Sequence, residues 1–178
     1  MGGIGRIRRG ELPFMATDEL HRRKLDELVD AHGLGSLDEA ARDRLNRAWH
    51  RLDPWPDSVS GLTRLKSKFI ISTLSNGNVA LLVNMAKYGG LPWDCILAAD
   101  IIHAFKPDPE SYLSAARYLG LEPSEVLMTA AHKFDLQSAQ KSGLQAAFIP
   151  RPTEAGPNRE VDLRPANSAR AAGVGCGG

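Results

Sequence analysis

The sequence has little cysteine, little net charge and no long apolar run. Cys95 and Cys176 are the only two cysteines among 178 residues, so a disulfide framework is not expected. The formal net charge of +1 provides no basic field that would attract nucleic acid. No apolar run approaches the roughly 20 residues of a membrane span, and no secretory signal opens the chain. We therefore expect a cytoplasmic protein without a nucleic-acid or membrane partner.

The two ends of the sequence offer few side chains that a core could bury. Residues 1–11 are rich in glycine and arginine, which predicts a disordered arm, with a targeting arm as the alternative. Residues 166–178 are rich in small residues and have no periodicity, which predicts a disordered tail. The folded part is therefore expected between these two segments.

Residues 12–56 have the spacing of two amphipathic helices. Thr17 is predicted to cap the first helix, which Gly33 ends. A capping-box pattern at residues 36–39 predicts the start of the second helix, and residues 53–56 break it with two prolines. This segment is expected to form a helical pair.

From residue 57 onward, short apolar runs alternate with helical patterns. Alternation of this kind is typical of an α/β fold, in which helices cover both faces of a parallel sheet. The predicted strands are residues 69–74, 95–97, 126–130 and 146–149. The predicted helices between them are residues 79–88, 110–119 and 134–142.

Polar residues follow three of the predicted strands, where ligands bind in open α/β sheets. These residues are Ser75 and Asn76, then Lys106, then His132 through Asp135. Each group also has an ordinary explanation: a helix-capping turn, a solvated loop lysine, and a carboxylate at a helix start. Their shared position at the strand ends favours a functional site.

Four motifs occur in a specific order: LSNGN, FKPDPESY, AAHKFDLQSA and GLQAAFIPRPTEAGP. The order, the spacing and the flanking residues of these motifs resemble those of the type II (S)-2-haloacid dehalogenases of the haloacid dehalogenase superfamily. The resemblance covers roughly residues 12–165. It implies a Rossmann-like parallel core at 57–165, incomplete here, and a partial helical cap at 12–56.

The resemblance implies a two-step hydrolysis of a small 2-haloacid. An aspartate carboxylate attacks the α-carbon and expels halide, and water then cleaves the enzyme ester. Lys106 is expected to keep that carboxylate ionised, since a nearby cation lowers a carboxyl pKa. Asp135 is expected to pair with Lys106 and to position the water.

Four further residues receive substrate-binding roles from the resemblance. Ser75 is expected to bind the substrate carboxylate, and Asn76 to lie near the departing halide. Tyr112 is expected to pack or hydrogen-bond beside the site. His132 has two open interpretations, one as a base or water-orienting group and the other as a histidine that packs at the rim.

The family's nucleophile belongs to a strand that ends in an Asp-x-x-Gly-Thr type motif, which this sequence does not contain. Asp18 lies at a helix start and does not match it, so no nucleophile is assigned. We therefore expect no turnover from this chain alone, and self-association through strand edges left without a partner.

The last motif bears on the choice between a dehalogenase and a phosphatase. Residues 130–135 contain one carboxylate, whereas Mg²⁺ needs several hard oxygen ligands, so neither a metal nor another cofactor is expected. Two alternatives stay open: a non-catalytic domain that uses the same pocket or sheet edge for binding, and a phosphatase of the superfamily.

Overall fold

The computed structural model describes residues 2–151. The predicted tail at 166–178 and the end of the predicted core, from residue 152 to 165, lie outside this range. The helices are α1 (Gly3–Arg8), α2 (Thr17–Ala31), α3 (Glu39–Asn46), α4 (Ser58–Lys66), α5 (Val79–Gly89), α6 (Ala99–Ile102), α7 (Pro109–Leu119) and α8 (Lys133–Lys141). The strands are β1 (Ser72–Ser75), β2 (Cys95–Ala98), β3 (Leu127–Ala130) and β4 (Gln145–Phe148). Two short 3₁₀ helices span Arg47–Arg51 and Pro123–Glu125. None of the helices in this range is long and apolar enough to cross a membrane.

The four strands form two parallel pairs. β1 pairs with β2, with Ser72 opposite Cys95, and β3 pairs with β4, with Leu127 opposite Gln145. The sequence predicts parallel pairing correctly, but it predicts one sheet, whereas the described residues form two separate pairs. Each of the four strands therefore has one edge to which no strand of residues 2–151 is hydrogen-bonded. Self-association through such edges stays a prediction.

The first strand is shorter than its apolar run. Phe69 and Ile70 precede β1 and are 62% and 58% exposed, so the expectation of a buried strand from residue 69 is wrong at these two positions. Burial begins at Ile71, whose backbone N–H donates to Asp94 Oδ2 at 2.9 Å. Side-chain hydrophobicity gives the run its strand signal, but within the described residues nothing buries its first two side chains.

The best-packed part of the core lies under the second strand pair. Helices α7 and α8 pack against each other, and α8 also packs on β3 and β4. The buried cluster consists of Tyr112, Met128, Leu136, Ala139 and Leu144. Leu74 of β1 packs against the same cluster, so the two strand pairs share one apolar core.

The amino-terminal helices depart from the sequence expectation in their caps. Asp38, rather than Ser36, caps α3, and its Oδ1 accepts from the Ala41 N–H at 2.7 Å. Thr17 is the first residue of α2 and is not its cap, because its hydroxyl donates to the Asn76 carbonyl instead. A long-range partner therefore replaces the local bond that the sequence predicts for Thr17.

A short helix, α1, occupies part of the predicted disordered arm. Arg8, its last residue, forms an ion pair with Asp108 in the loop before α7, with 2.9 Å between Arg8 Nε and Asp108 Oδ1. Farther along, Phe14 stacks on Phe105 with 5.0 Å between ring centroids. Contacts with the loop before α7 thus order a segment whose own composition predicts no structure.

Candidate active site

A lysine, an aspartate and a tyrosine form a compact polar cluster. Lys106 Nζ lies 2.6 Å from Asp135 Oδ2, and the Tyr112 hydroxyl donates to Asp135 Oδ1 at 2.6 Å. The side chains of Lys106 and Asp135 are only 15% and 9% exposed, and Tyr112 is fully buried. Because water is largely excluded, solvent screens the attraction between the two charges less than it would at the surface.

The chain brings these three residues together from separate elements. Asp135 lies in the first turn of α8, just beyond the carboxyl end of β3, where the helix dipole favours a negative charge. Lys106 lies in the loop between α6 and α7, and Tyr112 lies on the buried face of α7. The segments that follow β2 and β3 therefore lie together, as the sequence predicts, and Asp135 contacts both Lys106 and Tyr112.

The loop after β1 holds the lysine through its main chain. Asn76 Nδ2 donates to the Lys106 carbonyl at 3.1 Å, and the Lys106 N–H donates to Asn76 Oδ1 at 2.6 Å. Ser75 Oγ accepts from the Gly77 N–H at 3.0 Å, which is the ordinary role of a serine in a turn. The structure thus brings Asn76 to Lys106, while Ser75 stabilises the turn that carries Asn76.

A cleft of about 350 Å³ adjoins the cluster. Both strand pairs contribute to its wall, together with the loops around them: Trp55, Leu74, Lys106, Met128, Thr129, Ala130, Ala131, His132, Asp135, Ile149 and Arg151. Asp135 is the one carboxylate among these lining residues. A larger groove beside Phe69 has no carboxylate in its lining, so it is a poorer candidate for acid–base or covalent chemistry.

Trp55 and Arg151 line the cleft but are not among the site residues that the sequence predicts. Arg151 lies 5.0 Å from the Trp55 ring centroid and donates to Asp57 Oδ1 at 2.8 Å. The arginine lowers the pKa of the Asp57 carboxyl through this hydrogen bond. Arg151 follows β4, so the rule that places ligands beyond the carboxyl ends of strands would have found it. Trp55, in a proline-rich linker, has no such signal.

His132 lies at the rim of the cleft. Its ring centroid is 5.7 Å from that of Phe134, with a tilted geometry, and the residue is exposed. Both interpretations from the sequence, an active base and a packed rim histidine, are compatible with this position. Its role stays a prediction.

Tyr112 gives the site a pH dependence at the alkaline end. Burial, and then the hydrogen bond to Asp135, raise the pKa of the Tyr112 phenol above its ordinary value of 10.0. The folded state thus favours the protonated phenol. That stabilisation is complete below pH 10 and is lost as pH rises above 10 toward the raised pKa.

We expect the free energy of unfolding to fall above pH 10, with a contribution from Tyr112 of up to about 1.4 kcal/mol per pH unit. Urea unfolding at several pH values should show a shallower fall for Tyr112→Phe. Tyr88→Phe, at a tyrosine that is 54% exposed, should follow the parent protein. Identical slopes for the two variants would refute the assignment.

The candidate metal ligands of residues 2–151 do not cluster. No group of three or more histidine, cysteine, aspartate or glutamate side chains in this range could hold a metal ion. Asp135 belongs to the motif in which, by the superfamily resemblance, phosphatases differ from dehalogenases. Its carboxylate faces Lys106.

A profile of haloacid dehalogenase-like hydrolases matches residues 4–143. The chain belongs to this family. It is 37% identical over 113 residues to (S)-2-haloacid dehalogenase 4A of Burkholderia cepacia, a match that covers 62% of this chain and 49% of that protein. It is 31% identical over 137 residues to the (S)-2-haloacid dehalogenase of Xanthobacter autotrophicus, covering 74% and 54% of the two chains.

Solved structures of dehalogenases share the fold. One crystal structure of an L-2-haloacid dehalogenase matches with a TM-score of 0.86 and 47% identity, over 90% of this chain and 70% of that chain. That of a defluorinating L-2-haloacid dehalogenase matches with a TM-score of 0.88 and 48% identity, over 93% and 68%. These similarities confirm the predicted α/β fold and the family. The chain spans about half the length of the two curated dehalogenases named above.

Proposed function

We propose that this haloacid dehalogenase-like protein is a hydrolase that removes halide from a small 2-haloalkanoic acid. The buried Lys106–Asp135 pair, held by Tyr112 at the edge of the cleft, is the observation on which the proposal depends. Its relatives named (S)-2-haloacid dehalogenase support the choice of reaction over phosphate-ester hydrolysis and over simple binding.

The proposed reaction has two steps. A carboxylate oxygen forms a bond to the α-carbon while the carbon–halogen bond breaks, and halide leaves with the bonding electrons. Water then adds to the carbonyl carbon of the resulting ester. The ester cleaves to a 2-hydroxy acid and the original carboxylate, with release of one proton.

Lys106 and Asp135 have complementary roles in this scheme. The Lys106 ammonium faces the cleft and stabilises a second carboxylate in its ionised, nucleophilic form. Asp135 holds the ammonium in place, and Tyr112 keeps the Asp135 carboxylate oriented. In the second step, Asp135 positions the water that attacks the ester.

Substrate-binding roles are proposed for the residues around this pair. Ser75 and nearby backbone N–H groups bind the substrate carboxylate. Asn76 contributes at the halide side, in addition to its contact with the Lys106 main chain. His132 orients water at the rim.

The attacking carboxylate is proposed to come from a strand outside residues 2–151. Within that range, Asp135 is the carboxylate that lines the cleft, and both of its oxygens already accept hydrogen bonds. The unpaired edges of β1 and β3, beside the same cleft, are suited to a further strand. Such a strand would place its carboxyl end near Lys106.

Substrate selectivity tests the proposal. We define the extended protein as the 178 residues preceded by a hydrophobic strand that ends in Asp-x-x-Gly-Thr. It should release chloride from 2-chloropropionate in the presence of a chelator, and it should not hydrolyse p-nitrophenyl phosphate with added Mg²⁺. Phosphate-ester hydrolysis without chloride release would replace the proposal with a phosphatase function, and inactivity toward both would favour a binding domain.

A further inference from the structure

A second buried polar cluster lies away from the cleft, where α2 meets the loop after β1. His50 Nε2 is 3.1 Å from both carboxylate oxygens of Asp18, and Asn78 Nδ2 donates to Asp18 Oδ2 at 2.9 Å. Asn84 Nδ2 lies 2.9 Å from His50 Nδ1. His50 and Asn78 are only 5% and 6% exposed. A neutral imidazole with its proton on Nε2 satisfies both of its contacts.

The first turn of α2 is hydrogen-bonded to the loop after β1 at two positions. The Asp18 N–H donates to Asn78 Oδ1 at 3.3 Å, and the Thr17 hydroxyl donates to the Asn76 carbonyl. Asn76 in turn holds the main chain of Lys106 through two hydrogen bonds. Hydrogen bonds therefore connect His50, through Asp18 and this loop, to the lysine of the site.

We propose that Asp18 and His50 are positioning residues for Lys106. A charged carboxylate with directional partners fixes the loop more sharply than apolar contacts would, because each bond has a preferred distance and angle. Displacement of a reacting group by about 1 Å is enough to slow catalysis strongly. The role of Lys106 in halide release rests on the proposed function. The hydrogen bonds that hold its main chain are independent of that function.

Hydrogen exchange of the 178-residue chain, followed by NMR, separates positioning from general stabilisation. The Lys106 N–H reports on the Asn76 bond, and the Gln145 N–H, which donates to the Val126 carbonyl at 2.9 Å, reports on the core. Asp18→Asn places an amide N–H against His50 or Asn78. We expect exchange at Lys106 to rise about tenfold while exchange at Gln145 stays unchanged.

Two further variants complete the test. Glu19→Gln removes a charge from the same turn of α2 at an exposed side chain and should leave both amides unchanged. His50→Gln retains an N–H near the Nε2 position and should raise exchange at Lys106 by a smaller factor than Asp18→Asn. In the extended protein, Asp18→Asn should lower kcat more than it raises KM.

Equal increases at Lys106 and Gln145, or no increase at either amide, would overturn the positioning role. If Asp18→Asn does not fold, His50→Gln is judged by the same criterion, and failure of both variants to fold would assign the cluster to folding alone. If the proposed function fails, halide release is absent from every variant, including the parent extended protein. The exchange result then still decides whether Asp18 and His50 position the lysine.

Discussion

Chloride release from 2-chloropropionate is expected to be undetectable with the 178 residues alone and at least about 10⁴-fold faster with the extended protein. The displacement needs an ionised carboxylate with a free lone pair directed at carbon. Asp135 is a poor nucleophile, because Lys106 and Tyr112 each bind one of its oxygens. A carboxylate delivered beside β1 and β3 would face the Lys106 ammonium from the open side of the cleft.

A control variant of the extended protein distinguishes a loss of catalysis from a loss of folding. Replacing the aspartate of the added strand by asparagine keeps its length, shape and strand pairing but removes the nucleophile. This control should fold as the extended protein does and release no chloride. Chloride release by the 178 residues alone, at a rate similar to that of the extended protein, would show that the nucleophile lies within this chain.

Much of the site could be predicted from local signals. Lys106 and Asp135 follow predicted strands, and parallel pairing places such positions at one edge. The resemblance to the dehalogenase family then implies their pairing. The double contact of Asn76 with the Lys106 main chain could not be predicted, because the direction of a loop side chain depends on residues that are distant in sequence. The same reason explains Thr17, whose hydroxyl donates to the Asn76 carbonyl instead of capping its helix.

The fold was predictable where local pattern and long-range packing agree. Tyr112 of α7 and Met128 of β3 belong to the buried cluster, and Phe148 of β4 packs against it, so these apolar side chains are covered as their patterns predict. Phe69 and Ile70 have the same kind of pattern but lie exposed before β1. Hydrophobicity indicates whether a side chain favours a buried environment, but it does not indicate whether the chain supplies a surface to cover that side chain.

Lys106→Met is expected to lower the free energy of unfolding of the 178-residue chain by roughly 3–5 kcal/mol. The substitution removes the cation that compensates a buried carboxylate, and the Tyr112 hydroxyl alone does not replace it. Urea unfolding near neutral pH measures the loss. Lys24→Met is the matched control, because the Lys24–Glu27 pair is 66% and 63% exposed and such pairs contribute about 0–1 kcal/mol.

Combining Lys106→Met with Asp135→Asn distinguishes an uncompensated charge from lost packing. If the cost of Lys106→Met comes from leaving Asp135 charged and buried, the second substitution should recover part of the stability, because the neutral amide can still accept from Tyr112. Asp135→Asn alone should be destabilising, since it leaves the Lys106 ammonium without its carboxylate. A double variant as unstable as the sum of the two single variants would mean that the pair is not coupled. The distance of 2.6 Å between Lys106 Nζ and Asp135 Oδ2 would then have no energetic counterpart.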